Sequence, residues 1–226
     1  MDGSRLQDLL SRGMGSAARV IGVTCDAYRP AGVADPLRPA NRFLRLPAAF
    51  NAEDPKFLGA PDYGKPVWYG VFDSAYTRPG DYLVEVGTAR TWFVAAQPHL
   101  LPIVCVLTNR VVSICRPIGP GLPGATGYGG VNRQSLEPLL SNWPASLLAG
   151  GVGEREPARL PGDVRVGGYR VLIPVSAATA RAQNGALPDL LRVDDLMSDD
   201  LGRNYVVASA ELTELGWRLE VKLSST

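Results

Sequence analysis

Histidine is almost absent from this chain: His99 is the only one in 226 residues. Its scarcity removes zinc sites built on histidine pairs, the His-Glu-x-x-His metalloprotease motif and the two-histidine, one-carboxylate iron site together. Cysteine is nearly as scarce. Cys25, Cys105 and Cys115 are odd in number and sit in no metal-ligand spacing, which argues against a secreted disulfide framework and makes reduced thiols the expectation. Cys105 and Cys115 flank the Thr108-Asn109-Arg110 turn almost symmetrically, so they could face each other across a hairpin, but two small buried hydrophobes are the expected reading. Charge of one sign is also missing. Lys and Arg (23) balance Asp and Glu (22) to a net +1, and no global field draws the chain toward nucleic acid or an anionic membrane. No apolar run approaches a membrane-spanning length, and Asp2, Asp8 and Arg12 interrupt the N-terminus where a signal peptide needs an apolar stretch. Use in the cytosol, or assembly there into something larger, is the expectation.

Glycine (25) and proline (19) are abundant, and the apolar fraction of 46% is enough for a real core. That composition fits a β-sandwich or barrel with many turns. The stretch Gly80 to Pro117 is dense in Val, Ile and aromatics and predicts a meander; strands are expected at about Val67 to Phe72, Tyr82 to Val86, Thr91 to Ala96, Ile103 to Leu107 and Val111 to Cys115. Short connections imply antiparallel pairing. Tyr169 to Val175 reads as a further strand, and Tyr205 to Leu212 with Trp217 to Leu223 as a hairpin. In the last strand Trp217, Leu219, Val221 and Leu223 alternate with Arg218, Glu220 and Lys222. The fold class is therefore mainly β, an antiparallel barrel or sandwich with an N-terminal helix and long irregular arms. No internal repeat and no coiled-coil heptad emerges.

The helix is expected over Ser4 to Ile21, with Leu6, Leu9, Leu10, Met14, Ala17, Ala18 and Ile21 on one face. Gly13 and Gly15 each cost about 1 kcal/mol relative to alanine, so the helix needs a partner surface; Gly13 and Ala17, four apart, allow close approach of another backbone. Tyr28 to Gly64 is rich in proline and alanine and reads as an ordered but irregular arm. Its Phe43, Leu44, Leu46, Phe50 and Phe57 are too apolar for a solvated linker. Short helices are expected at Leu136 to Leu140 and at Pro144 to Ala149, the latter with proline in its first turn and Gly150 past its end. The implied organisation is a helix and arm over 1–64 and an antiparallel β domain over 65–226, with a glycine-rich insertion at about 117–168.

Candidate chemistry is sparse. Gly119, Gly121 and Gly124 match the G-x-G-x-x-G dinucleotide pattern, but Pro120 and Pro123 lack the N–H groups that turn aims at a pyrophosphate, and no helix opens after it. A loop or interface segment is expected there. His99 lies between Pro98 and Pro102 as a loop residue; a triad on it would need a nucleophile, and Ser113, Ser176 and Cys25 carry no supporting motif. The acidic cluster Asp194, Asp195, Asp199 and Asp200 has the wrong spacing for a calcium loop and reads as a solvated turn or a helix end. Paired carboxylates for glycan hydrolysis meet only in a fold and stay open from spacing alone. Trp68, Tyr69, Trp92 and Trp217 fall at strand positions and read as core or interface. Arg5, Arg12, Arg19, Arg29, Arg38, Arg42 and Arg45 give the first fifth of the chain a basic bias, suited to surface ion pairs or to an acidic partner or DNA.

Three segments, the RGMGSAARVIGVTCDAYRPAG arm, the GDYL…TWFVAAQPHLLPIVCVLTNRVVSICRP meander and the closing RNYVVASAELTELGWRLEV hairpin, resemble structural proteins of tailed-bacteriophage virions. They are similar in style to the small β-barrels of head–tail connector, adaptor and stopper proteins. The resemblance implies a ring-forming, non-enzymatic neck component linking portal and tail around a DNA channel, with a baseplate or tail-hub role as the alternative within the particle. A glycan-acting hydrolase or carbohydrate-binding module is the alternative outside it. No catalytic, cofactor or metal residues are implied. The implied partners are copies of the same chain, portal and tail proteins, and DNA by non-specific contact, with no membrane; the implied place is the virion, assembled in the host cytoplasm. Candidate intersubunit contacts are Leu6, Leu9, Leu10, Gly13 and Ala17 on the helix, Phe43, Leu46 and Phe50 on the arm, and Tyr128 in the Gly119 to Gly130 loop.

Overall fold

The computed structural model describes residues 3–52, 66–117, 136–149, 168–177 and 191–224. The chain opens with helix α1 (Gly3–Ile21), whose Leu10, Ser11, Met14 and Ala18 turn inward at helical spacing and pack on the strands that follow. Those are β1 (Val23–Tyr28), β2 (Arg42–Ala52), β3 (Val67–Val71), β4 (Tyr82–Glu85), β5 (Thr91–Ala96) and β6 (Ile103–Leu107). They close into an antiparallel barrel in the order β1-β2-β3-β6-β5-β4. A second set, β7 (Arg110–Pro117), β8 (Leu136–Ala149), β9 (Gly168–Ile173), β10 (Leu196–Asp199), β11 (Asn204–Thr213) and β12 (Gly216–Leu223), closes in the order β7-β8-β9-β12-β11-β10. Strand for strand, the two orders are the same. Each places its fourth strand beside its first, the Greek-key return, and closure leaves neither barrel an open edge.

The correspondence reaches individual hydrogen bonds. Before β4, buried Asp81 accepts from the Arg78 backbone N–H and takes a two-pronged bond from Arg29, just past the end of β1. Before β10, buried Asp195 accepts from the Arg192 N–H and takes the same two-pronged bond from Arg116 near the end of β7. Main-chain bonds match as well: Gly80 N–H to Val94 O and Val94 N–H to Asp81 O in one barrel, Asp194 N–H to Val207 O and Val207 N–H to Asp195 O in the other. Gly80 and Asp194 both have positive φ. A second buried carboxylate ends the fourth strand each time. Glu85 accepts from Trp92 Nε1 at 3.0 Å and Asp199 from Tyr205 Oη at 2.9 Å. Bulges recur at Val94/Ala96 and Val207/Ser209, and at Ala27/Tyr28 and Ile114/Cys115. The chain is an internal duplication, a repeat that the sequence reading did not find.

Other expectations are corrected. Within the arm, 42–52 is β2, paired to β1 on one side and β3 on the other, so a division at residue 64 would fall between two paired strands. The helices expected at 136–140 and 144–149 are one long strand, β8. A residue with positive φ, Asn142, bends it between the part paired to β7 and the part that also meets β9. The meander divides, since β4, β5 and β6 stay in the first barrel while β7 opens the second. Cys105 and Cys115 therefore lie in different barrels, and all three cysteines are free thiols. The Gly119 to Gly130 loop lies outside the described residues.

The first barrel is filled by Cys25, Ala27, Leu46, Ala48, Phe72, Leu83, Trp92, Val94, Ile103 and Cys105. The second barrel's core is continuous with the seam between barrels, where Tyr82 and Phe93 from the first meet Trp143 from the second. Polar groups at the seam are satisfied across it. Tyr82 Oη donates to the Pro144 carbonyl at 2.8 Å, and the Val33 carbonyl accepts from Ser141 N–H and Trp143 Nε1. The segment after β1 thus reaches the second barrel of its own chain.

Candidate functional site

The residues proposed for intersubunit contact separate into two groups. Leu46 is 6% exposed inside the first barrel, and Phe50 stacks on Trp92 with centroids 4.1 Å apart. Both are engaged by their own chain, which corrects their assignment to an arm. Phe43 stays on the surface under the Arg29 guanidinium, 4.4 Å from its ring centroid. Tyr128 lies outside the described residues.

The helix residues behave differently. Leu10 is half-buried against the body, but Leu6 (42% exposed), Leu9 (51%), Gly13 and Ala17 face outward, joined by Val20 (85%) and Ile21. The apolar arc expected to form one face is thus wider than the surface it docks on. With about 3.6 residues per turn, Leu6, Leu9, Gly13 and Val20 make an outer stripe, and Arg5, Arg12 and Arg19 stack along one edge of it. Beside the N-terminal half of α1, exposed Leu100 and Leu101 extend the apolar surface; the Leu100 N–H donates to Gln7 Oε1 at 2.8 Å. Val20, Ile21, Leu100 and Leu101 were not among the candidate contacts. The missed signal was the second apolar stripe of the helix.

The basic bias of the N-terminal region also divides. Arg29 is committed to Asp81, and Arg42 and Arg45 both close on Asp26, at 2.9 and 2.6 Å. The Arg45 hydrogen bond holds the Asp26 carboxyl below its ordinary pKa. Among the described residues, Arg5, Arg12 and Arg19 make no ion pair.

On the other flank of α1 lies a polar groove of about 210 Å³, lined by Gln7, Asp8, Ser11, Ser74, Gln97 and His99. Ser11 and Ser74 hydroxyls bond each other at 2.7 Å, and among the described residues no hydrogen bond joins His99 to either. The groove is smaller than the roughly 300–1,000 Å³ of small-molecule sites. Of the acidic cluster, Asp195 and Asp199 are buried in the barrel-closing bonds described above, which corrects their reading as a solvated turn; Asp194 and Asp200 remain at the surface. Among the described residues no group of His, Cys, Asp and Glu is placed to hold a metal. No helix among them is long and apolar enough to cross a membrane.

A third surface feature closes the second barrel. At the tip of the β11–β12 hairpin, Leu212 and Leu215 are near half exposed, beside exposed Glu211 and Glu214. Compared with protein-family models, with curated proteins and with solved structures, the chain matches none.

Proposed function

We propose that this chain is a building block of a larger assembly, acting by shape and association, and that the assembly is the neck or tail of a tailed-phage particle. One observation supports the first part above all: α1 is apolar on two sides and its own chain covers only one. Fully burying a leucine contributes about 1.5–3 kcal/mol, and Leu6 and Leu9 together forgo much of that in the isolated chain. The paired barrels supply a stiff body on which such a helix is held in a fixed pose. Their buried carboxylates among the described residues, Asp81, Glu85, Asp195 and Asp199, are all bound to neighbours in the same barrel. The phage setting rests on the resemblance of the N-terminal, meander and hairpin segments, which favours a ring-forming connector that docks to portal and tail around DNA.

Light scattering on the purified chain across a wide concentration range tests the reading. Self-association that is weakened by Leu6→Glu with Leu9→Glu, with unchanged circular dichroism, is the expected result. A chain that stays monomeric at every concentration, and whose double variant behaves identically, overturns self-assembly.

A further inference from the structure

We infer that copies of this chain associate head to tail, the outer face of α1 on one copy docking on the β11–β12 hairpin tip of the next. The inference rests on the assembly reading and adds which surfaces meet. Both surfaces are apolar and uncovered: Leu6, Leu9 and Val20 on the helix, Leu212 and Leu215 on the tip. Their charges are opposite. The helix stripe is bordered by Arg5, Arg12 and Arg19, none of them ion-paired among the described residues. The tip carries Glu211 and Glu214 against one cation, Arg218, which is 2.5 Å from Glu211, so one negative charge is in excess.

Pairing of like surfaces is disfavoured by the same residues. Two copies of α1 related by a two-fold axis through the stripe would set Arg12 near Arg12 and Arg5 near Arg19, three cations on each helix against the single acid Asp8 beside them; like charges facing across an interface disfavour such a pair. Two hairpin tips would likewise oppose glutamates. Within one chain α1 packs on β2 and β3 of the first barrel, while the tip belongs to the second. Two different surfaces meeting between copies make a heterologous contact, and repetition of that contact closes into a ring or runs on as a filament. Arginine is suited to the helix side, since its fork can grip a carboxylate while its stem covers apolar surface.

Charge reversal in both directions tests this with the full chain. One variant carries Arg5→Glu, Arg12→Glu and Arg19→Glu; the other carries Glu211→Lys and Glu214→Lys. All five positions are exposed, and circular dichroism verifies the fold. Each variant alone is expected to self-associate about tenfold or more weakly than the parent chain, with the loss shrinking at high salt. An equimolar mixture of the two is expected to associate again, because each helix then meets a tip of opposite charge. If the parent chain assembles but neither variant weakens it, or the mixture fails to recover, the head-to-tail contact is wrong while the assembly reading stands. If the parent chain is monomeric throughout, both fall.

Discussion

Replacing Arg116 by alanine is predicted to destabilise the chain by roughly 2 kcal/mol more than the same replacement of Arg29, although the two arginines occupy equivalent places in the two barrels. Each sends Nε and one terminal nitrogen to the two oxygens of a buried aspartate: 2.8 and 3.0 Å from Arg116 to Asp195, 2.9 and 2.7 Å from Arg29 to Asp81. Both carboxylates have only 1% of their side chain exposed. The arginines differ, with 6% exposure for Arg116 against 34% for Arg29. When Arg116 is removed, Asp195 is left in the interior with the Arg192 N–H, and breaking a buried pair in this way costs roughly 3–5 kcal/mol. When Arg29 is removed, water reaches the vacated third-exposed position, Asp81 keeps the Arg78 N–H, and the Arg78 guanidinium lies 3.9 Å away. A cost of about 1–2 kcal/mol follows for such a partly solvated, charge-assisted bond.

Urea unfolding at neutral pH, followed by tryptophan fluorescence, reads both numbers. Trp92 reports on the first barrel, and Trp143 and Trp217 on the second. Arg116→Lys, which keeps the charge but loses the two-pronged grip, is expected between the parent chain and Arg116→Ala, and covers the case in which the alanine variant does not fold. Equal costs at the two positions, or a cost under about 1 kcal/mol for Arg116→Ala, would refute the view that solvent access sets the strength of these latches.

Two further outcomes follow from the barrels. Burial pushes the Glu85 carboxyl up, but hydrogen bonds from Thr88, Trp92 and Arg90, with the Arg90 charge, outweigh it and leave the pKa below its ordinary value. Its contribution is therefore present above the unfolded carboxylate pKa and lost as pH falls through the folded one, so Glu85→Gln should lower the urea midpoint at neutral pH and converge with the parent chain in acid; a gap constant with pH would contradict this. At Gly216, φ is +123° and an added Cβ would sit 2.5 Å from the Ile173 carbonyl oxygen, so Gly216→Ala should cost roughly 2–4 kcal/mol in the same assay, against the idea if the cost is under about 0.5 kcal/mol.

Alternation made the last strand legible: Trp217, Leu219 and Val221 are buried and Arg218, Glu220 and Lys222 exposed, while Leu223 at the end is exposed against expectation. The same signal was present in β2 but muted. Leu44, Leu46, Ala48 and Phe50 face inward at a period of two, yet Ala48 is small and Pro47 stands between them, which made the segment read as an arm. In β8 the bulge at Asn142 resets the period, and Pro144 imitates a helix start. The duplication was hidden by drift in spacing. Arg78, Asp81, Glu85, Arg90 and Trp92 answer to Arg192, Asp195, Asp199, Arg203 and Tyr205, but the turn after the second carboxylate is one residue shorter in the second copy. Of the helix, its existence and its docked residues Leu10, Met14 and Ala18 were legible; that its apolar arc exceeds its seat depends on the shape of the barrel wall and needed the fold.

The duplication also separates what a barrel requires from what this chain adds. Strand order, bulges, the arginine–aspartate latch and the second buried carboxylate all occur twice, so they are the parts that close six strands into a barrel. Among the described residues, helix α1 has no counterpart in the second barrel. The second barrel begins at Arg110, with only Thr108 and Asn109 between it and the end of β6, and closes with no helix before its first strand. Barrel closure therefore does not account for α1, and docking alone accounts for only its inner side. What is left unaccounted for is the outer stripe with its arginine edge, which is where an added element would make contact with another molecule.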